Sequence, residues 1–383
     1  MNILFGATGS IAAHRGLELA RALSKAGHDV RVILTESAAR FVQPTAFRAL
    51  VGPTYTDENF FESALHIQLS EWAHMSLVAP ATANTLAKLA HGRADDLLSA
   101  SFLAKGPPGV LVPAMHESMW LSPMTQQNVQ TLRQTGFTVL QPVSGDLSTG
   151  SGMGRMPELQ EIFGLIEEWE SVISRLEGVE VALAYGPTAE PIDPVRVITN
   201  RSSGKMGVAI GRALAAAGAK TTAVQGPGVP ECPALRRFRV ETGAQMRKAL
   251  ERAVESARVL IMAAAVADFK VAEVSSEKLA RAGNLSLRLE PTQDILASLA
   301  ENKRPDQVFV GFCLAEKQGL LETAMKKMRA KSVDIMVAND ISSLGSETGE
   351  FYILTGSQVL KLGQLSKNQL AVRLVETIAE VLS

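Results

Sequence analysis

Apolar residues along this chain gather in short runs separated by amphipathic stretches, and the alternation is played through twice. Near the N-terminus NILFG (2–6) is a continuous apolar run, as expected for a strand buried on both faces. IAAHRGLELARALSKAG (11–27) has helical spacing and ends at Gly27, and DVRVILT (29–35) is the next strand. This is a βαβ unit, for which a right-handed crossover is expected. SLVAPA (76–81), GVLVPA (109–114) and FTVLQPV (137–143) repeat the strand signal between helical segments, and a helix over about 157–175 ends the series. The pattern restarts with VEVALAYG (179–186), AKTTAVQG (219–226), ARVLIMAAAV (257–266), QVFVGFCLA (307–315) and VDIMVAND (333–340). The spacing predicts two doubly wound, Rossmann-like α/β domains, residues 1–175 and 176–383, with the boundary near 176.

A length of 383 residues suffices for two such domains, each with its own core. The formal net charge is −1 with no Lys/Arg cluster, so the electrostatic footprint of a nucleic-acid binder is missing, while small anionic metabolites stay open. Cys232 and Cys313 are too few for a disulfide framework or a thiolate metal site, which suits a reducing cytoplasm, and no resident metal is expected. MNILFGATGS runs into a strand without the basic region of a signal peptide, and VLIMAAAVA (259–267) is too short to span a bilayer. A soluble cytoplasmic protein with no membrane partner is therefore expected. There is no low-complexity tract and no short-period repeat. All six histidines lie at or before His116, which confines imidazole chemistry to the first domain.

The densest chemistry lies in DPVRVITNRSSGKMG (193–207). SGKMGVAIGRALAAAGAK (203–220) has helical spacing with Gly218 in the capping position, so Ser202 to Lys205 fall at a helix N-terminus. Free backbone N–H groups and the helix dipole favour phosphate or carboxylate there, and Lys205 adds a charge. Taken alone, SSGK is a helix start with a solvated lysine. Arg196 and Asn200 upstream, in a loop stiffened by Pro187, Pro191 and Pro194, point instead to a functional site. Neither domain has the G-x-G-x-x-G spacing of a dinucleotide fold, which disfavours a nicotinamide dehydrogenase. GATGSIAA (6–13) fits two readings, a single-phosphate site using Gly9 and Ser10 or a tight strand-to-helix turn.

Several first-domain segments, GATGSIAA (6–13), LHIQLSEWAH (65–74), APATANTLAKLAHGRADDLLS (79–99), PAMHESMW (113–120) and GMGRM (152–156), together resemble the flavin-dependent cysteine decarboxylase family, whose first domain is flavodoxin-like. The second domain, with GPTAEPIDPVRVITNRSSGKMG (186–207), AAVADFK (264–270), EKLA (277–280), TQDIL (292–296), VGFCLAE (310–316) and VAND (337–340), resembles phosphopantothenate–cysteine ligase. In this order the chain resembles the bifunctional phosphopantothenoylcysteine decarboxylase/phosphopantothenate–cysteine ligase family of coenzyme A biosynthesis, over nearly its whole length.

For the first domain the resemblance implies FMN, held by Gly9, Ser10, Ile11, Thr35, Phe41, Thr82, Asn84 and Asp96, with His66 in the place of the family's essential histidine. That group moves a proton while the flavin oxidises the cysteine moiety, and the thiocarbonyl so formed drains the electrons of CO2 loss. Without its motif, His66 reads as a histidine on a half-buried strand face. Two positions depart from the family: His116 stands where Asn contacts substrate, and Ser148 where a Cys protonates the enethiol during its reduction. A hydroxyl is a far weaker acid than a thiol, so the final reduction is expected to be slow or to fail. SGDLSTGSGMG (144–154) reads as a substrate lid or as a plain Gly/Ser loop.

For the second domain the resemblance implies activation of 4′-phosphopantothenate by CTP with Mg2+, giving an acyl-cytidylate and pyrophosphate, after which the amine of cysteine displaces CMP. Asn200 would hold the acyl carbonyl with Arg196 close by, Lys278 would neutralise phosphate charge, and Lys327 and Lys331 would extend that field. Ser203, Gly204, Lys205, Ala264, Ala265, Asp268, Gln293, Asp294, Ile295, Leu296 and Phe312 would complete the substrate and nucleotide pocket. Outside the motif, the lysine pair reads as a solvated helix face and Asp294 as a helix N-cap. Ala189 replaces a family Arg, Gln293 a Pro, Ala315 a Glu and Gly349 an Asn. Lost charge-assisted bonds of this kind weaken binding by a few kcal/mol, on the order of 1.5–3 each.

Three functions follow. The first is the bifunctional enzyme, acting on 4′-phosphopantothenate, cysteine, CTP and phosphopantothenoylcysteine. The second is a flavoprotein that decarboxylates a cysteine-containing substrate oxidatively and stops at the enethiol. The third is a non-catalytic binding or regulatory protein with decayed sites, suggested by the altered motif positions. The resemblance also implies a homo-oligomer, with flavin-domain trimers and ligase-domain dimers combining into a dodecamer.

Overall fold

The first apolar run becomes strand β1 (Asn2–Ala7), in which Ile3, Leu4 and Phe5 have no solvent exposure. A strand buried on both faces needs helices on both sides, and the alternating pattern supplies them. The computed structural model describes every residue except 63, 107, 148, 149, 282–284, 344 and 347, and only the backbone of 146, 147, 150, 151 and 343. The chain divides into two compact units, Met1–Glu170 and Ser171–Ser383.

In the first unit, α1 (Ala13–Lys25) buries Ala13, Gly16, Leu19, Ala20 and Leu23 along one face, and Gly27 leaves it at φ +92°. There follow β2 (Asp29–Leu34), α2 (Glu36–Ala39), α3 (Pro44–Leu50), β3 (Thr54–Tyr55), α4 (Leu65–Trp72), β4 (Met75–Ala81), α5 (Ala83–Ala90) and α6 (Leu97–Lys105). Then come β5 (Gly109–Pro113), α7 (Glu117–Trp120), α8 (Pro123–Gln134), β6 (Thr138–Val139), the pair β7 (Val143–Leu147) and β8 (Gly150–Arg155), and α9 (Leu159–Glu170). The sheet order is β3-β2-β1-β4-β5-β6, with every pairing parallel. Leu4, Ile33, Val78, Leu98, Phe102, Leu111 and Trp120 form its main core cluster.

Four expectations for this unit are corrected. The strand expected over 137–143 shrinks to Thr138–Val139, because Pro142 has no N–H for a ladder. The Gly/Ser segment 144–154 is not a plain loop: apart from 148 and 149 it is the antiparallel hairpin β7/β8, with Gly145 opposite Gly152. His66 lies on a helix rather than a strand, since Leu65, Leu69 and Trp72 recur at helical spacing. The helix expected to reach 175 ends at Glu170, and turns occupy the residues that follow.

In the second unit the succession is β9 (Glu180–Pro187), β10 (Ala189–Pro191), β11 (Val197–Thr199), α10 (Lys205–Ala216), β12 (Lys220–Gln225), β13 (Arg236–Arg239), α11 (Gly243–Ser256) and β14 (Val259–Ala265). It continues with β15 (Phe269–Val271), β16 (Leu289–Pro291), α12 (Ile295–Ala300), β17 (Val308–Ala315), α13 (Leu320–Ala330), β18 (Ile335–Asp340), β19 (Thr348–Thr355), β20 (Val359–Ser366) and α14 (Lys367–Leu382). The main sheet runs β13-β12-β9-β14-β17-β18-β19-β20, parallel as far as β18 and antiparallel over the last two strands. Two short ribbons, β10·β11 and β15·β16, stand off the sheet.

Each sheet starts near its middle, and the chain then builds outward in both directions. In the first unit the strand order reverses between β1 and β4, in the second between β9 and β14. Doubly wound sheets open a crevice beyond the carboxyl ends of the strands at such a reversal.

Candidate active sites

At the first reversal β1 ends in Ala7 and β4 in Ala81, and the buried Thr8 bridges them. Its hydroxyl donates to the Pro80 carbonyl (2.8 Å) and accepts the Thr82 N–H (3.0 Å). Gly9 follows because nothing larger fits: a Cβ there would stand 2.4 Å from the Ser37 Cβ. The Ser10 hydroxyl accepts the Ala12 N–H (3.3 Å), while Thr35, Thr82 and Asp96 cap α2, α5 and α6. A cavity of about 570 Å³ opens between these turns, within the size range of small-ligand pockets. It gathers Gly9, Ser10, Thr35, Thr82, Asn84 and Asp96 from the sequence expectation, and adds Thr8, Ser37, Asp57, Lys88, Asp95 and Met115.

Charge is concentrated on one wall. Lys88 lies 2.7 Å from Asp95 and 2.5 Å from Asp96, and Asp57 accepts the first N–H of α6 (3.0 Å). Burial opposes the Lys88 ammonium, yet Asp95 and Asp96 outweigh it and hold the group above the usual lysine range. Burial pushes the Asp57 carboxyl up, and the Asp96 charge adds to the shift against the Leu97 N–H. Nothing in the sequence alone singles out Asp57 or Lys88, since their approach needs α5 and α6 to pack together.

Other expected residues sit elsewhere. Ile11 and Phe41 are exposed and, like His66 and His116, are not among the cavity's lining residues. His66 is half-buried, edge-on to Phe60 with ring centres 6.0 Å apart, and its Nδ1 is buried without a hydrogen-bond partner. A buried nitrogen of this kind is available to an ordered water, a ligand or a proton-transfer partner. His116 caps α7, accepting the Ser118 N–H (3.2 Å). Ser148 lies outside the described residues.

At the second reversal β9 ends in Pro187 and β14 in Ala265, and a buried threonine again spans the gap. Thr188 accepts the Ala267 N–H (3.0 Å) on its hydroxyl and the Thr199 hydroxyl (2.7 Å) on its carbonyl. Asn200 then donates its side-chain amide to the Val266 carbonyl (2.8 Å), with Ala265 at 3.5 Å. Both bonds come from Nδ2, and together they fix the Asn200 amide at the carboxyl end of β14. Gly204 is required twice over, at φ +70° and with its Cβ position 2.5 Å from Val229. Gly204 is the N-cap of α10 and has no side chain to cap it, which brings the start of the helix to the SSGK turn.

Around this point Arg196 pairs with the buried Asp193 (2.9 Å) and donates to the Leu279 carbonyl (3.2 Å), one residue beyond the exposed Lys278. Ala264 and Ala265 end β14, and the Asp268 carbonyl accepts the Thr292 N–H (2.9 Å). Gln293 donates to the Ser298 hydroxyl (3.1 Å). Asp294 does cap α12, and Lys331 lies 2.8 Å from it. Burial pushes the Asp294 carboxyl up, but Lys331 and the backbone donors outweigh it and hold it below the usual range. Ile295 and Leu296 belong to the core, which leaves only their backbone for a ligand. Phe312 is half-buried on β17. Lys327 stands near Cys313, whose thiol burial nonetheless pushes up, and Lys331 ends α13. A further cavity of about 530 Å³, beyond β12 and β13, involves none of the expected residues.

Comparison with known proteins gives these sites a context. A family model described as Flavoprotein matches residues 1–171, and one described as DNA/pantothenate metabolism flavoprotein C-terminal domain matches 176–382. Over 390 residues the chain is 38% identical to the coenzyme A biosynthesis bifunctional protein CoaBC of Haemophilus influenzae, covering 99% of this chain and 97% of that one. The chain belongs to the CoaBC family of bifunctional coenzyme A biosynthesis proteins. CoaBC of Bacillus subtilis is 39% identical over 358 residues, 91% of this chain and 88% of that protein. The crystal structure of a CoaBC C-terminal domain is similar at 33% identity and TM-score 0.48, covering 55% of this chain and 98% of that domain. The CoaBC relationship runs through both reversals, so each crevice lies within a matched stretch.

Proposed function

We propose that the chain catalyses two consecutive steps of coenzyme A assembly. In the second unit the carboxylate of 4′-phosphopantothenate attacks the α-phosphorus of CTP, with Mg2+, and expels pyrophosphate. The amine of cysteine then attacks the acyl carbonyl, forming an amide as CMP and a proton leave. A carboxylate is a poor electrophile, and the mixed anhydride makes its carbonyl attackable. The Asn200 amide stabilises the oxygen on which charge develops, the α10 N-terminus with Lys205 holds an anionic group, and Lys278 neutralises phosphoryl charge. The observation that carries this reading is the placement of Asn200 and the Gly204-led start of α10 at the reversal of a sheet in a CoaBC-family chain. The test is CTP-dependent pyrophosphate release by the full-length protein. Asn200→Asp and Lys278→Gln are each expected to slow turnover by about 100-fold or more, and unchanged turnover in both would defeat the assignment.

In the first unit the hydroxyl, amide and helix-start donors of Gly9, Ser10, Thr35, Thr82 and Asn84 suit FMN, which would lie in the 570 Å³ cavity beside Asp96. Bound there, FMN supplies reversible two-electron chemistry for the decarboxylation of phosphopantothenoylcysteine. The chain's own part is to orient the substrate, exclude water and move a proton at Nδ1 of His66. Ser148 supports a second reading for this unit, in which decarboxylation stops at the enethiol because a hydroxyl is too weak an acid to complete the reduction. Mass spectrometry separates the two, the enethiol being lighter than the saturated thiol by two hydrogens. A cytoplasmic homo-oligomer, a dodecamer if both units self-associate, belongs to the same reading. Among the described residues no helix is long and apolar enough to cross a membrane.

A further inference from the structure

Asp193 has no part in the ligase chemistry just described, yet its side chain is fully buried and saturated with donors. One carboxylate oxygen accepts the N–H groups of Val195 and Arg196, both at 2.8 Å, which closes its own loop. The other accepts the Arg196 guanidinium (2.9 Å) and, across 86 positions of sequence, the Leu279 N–H (3.2 Å). Arg196 completes the exchange by donating to the Leu279 carbonyl (3.2 Å). A second tie lies on the other side of Lys278, where the Ser275 N–H donates to the Ile192 carbonyl (3.0 Å). Residues 275–279 belong to no helix or strand, so these bonds decide where their backbone runs.

We propose that Asp193 is a positioning residue of the ligase centre, fastening the segment that carries Lys278 to the loop that carries Arg196 and Asn200. The inference rests on the ligase reading and deepens it. A lysine on four flexible carbons reaches a phosphate reproducibly only if its Cα is fixed, and here the chain is held at positions 275 and 279. The fold itself does not demand an acid at 193, because β10·β11 is held by its own backbone pairing. An Asp193→Asn change keeps the shape and the acceptor that closes the loop. It replaces the oxygen that takes both Arg196 and Leu279, so the carboxylate's bond to the Leu279 N–H and its charge pairing with Arg196 are lost while the loop stays closed and only the ties through Ser275 and the Leu279 carbonyl remain.

The test compares full-length wild type, Asp193→Asn, Lys278→Gln and the double variant in CTP-dependent pyrophosphate release, with thermal unfolding and hydrogen exchange of residues 275–279. Asp193→Asn is expected to lower kcat by about 100-fold with KM for CTP shifted less than about threefold, since misplacement of a reacting group costs rate. Exchange at 275–279 should quicken while the unfolding transition persists. The double variant should be no slower than Lys278→Gln alone within about twofold, because a clamp without its lysine has nothing to position. Multiplying losses, a rise in KM with kcat intact, or loss of cooperative unfolding in Asp193→Asn would each overturn the proposal. Full turnover of Lys278→Gln would remove the role given to Lys278, and Asp193 as its positioning residue with it, whereas wild type without CTP-dependent pyrophosphate release would bring down the ligase reading itself. Normal turnover of Asp193→Asn beside a crippled Lys278→Gln would remove the clamp alone.

Discussion

At the residue scale, small side chains fix the geometry of both crevices. Thr8 and Thr188 each stand one position past the first strand of their sheet and tie it across the reversal. Thr8→Val would leave the half-buried Thr82 N–H without its partner, and stranding a fully buried group of this kind costs about 1–3 kcal/mol, an upper bound here. The transition of the first unit in calorimetry should fall by several degrees, and no change would show the bridge to be dispensable. Gly9→Ala places a methyl against Ser37, and the expected readout is loss of visible flavin absorbance from the purified protein. Asp294 is a smaller matter. Its carboxylate is held below the usual range in the fold, so it stabilises above the unfolded value, about pH 4, and that contribution is lost as pH falls through the folded pKa. The pair with Lys331 is partly exposed, so Asp294→Asn should cost less than about 1 kcal/mol at pH 7. In urea titrations the difference should disappear in acid; a difference that grew there would refute the assigned sign.

At the scale of elements, legibility in the sequence followed burial. The runs that became β1 and β9 are buried almost throughout, those that became β14, β17 and β18 are buried over their first four residues, and all read directly as strands, while α1 and α10 announced both their apolar faces and their glycine exits. β13 escaped notice because Arg236, Arg237, Phe238 and Arg239 are all exposed, so backbone pairing with β12 alone makes them a strand. β20 contains no buried residue and its partner β19 is buried on one face, which leaves only a weak alternation to read. The Gly/Ser composition of 144–154 concealed β7 and β8 for a related reason: hairpin pairing is a property of two segments together. α10 carries the element-scale prediction. Gly204→Ala forces a side chain to φ +70° against Val229, at about 1–3 kcal/mol, and should weaken anionic substrate more than it slows turnover of bound complex. A changed kcat with unchanged KM for 4′-phosphopantothenate would contradict the role given to this helix start.

At the scale of the whole molecule, both crevices obey one rule: the strand order reverses, and the turns beyond the reversal carry residues to which the proposed chemistry is assigned. The fold class was readable, and six of the eight residues expected around a flavin line one cavity, because glycine spacing, helix starts and strand ends are local. Asp57, Lys88 and Asp193 were not readable, since each acquires its meaning from a partner distant in sequence. The central claim is that the second unit activates a carboxylate with CTP. Full-length protein incubated with CTP, Mg2+ and 4′-phosphopantothenate, without cysteine, tests it most directly by mass spectrometry. The account predicts pyrophosphate and an acyl-cytidylate, with CMP released only when cysteine is added; pyrophosphate that never forms, or CMP that appears without cysteine and without any acyl-cytidylate, would contradict it.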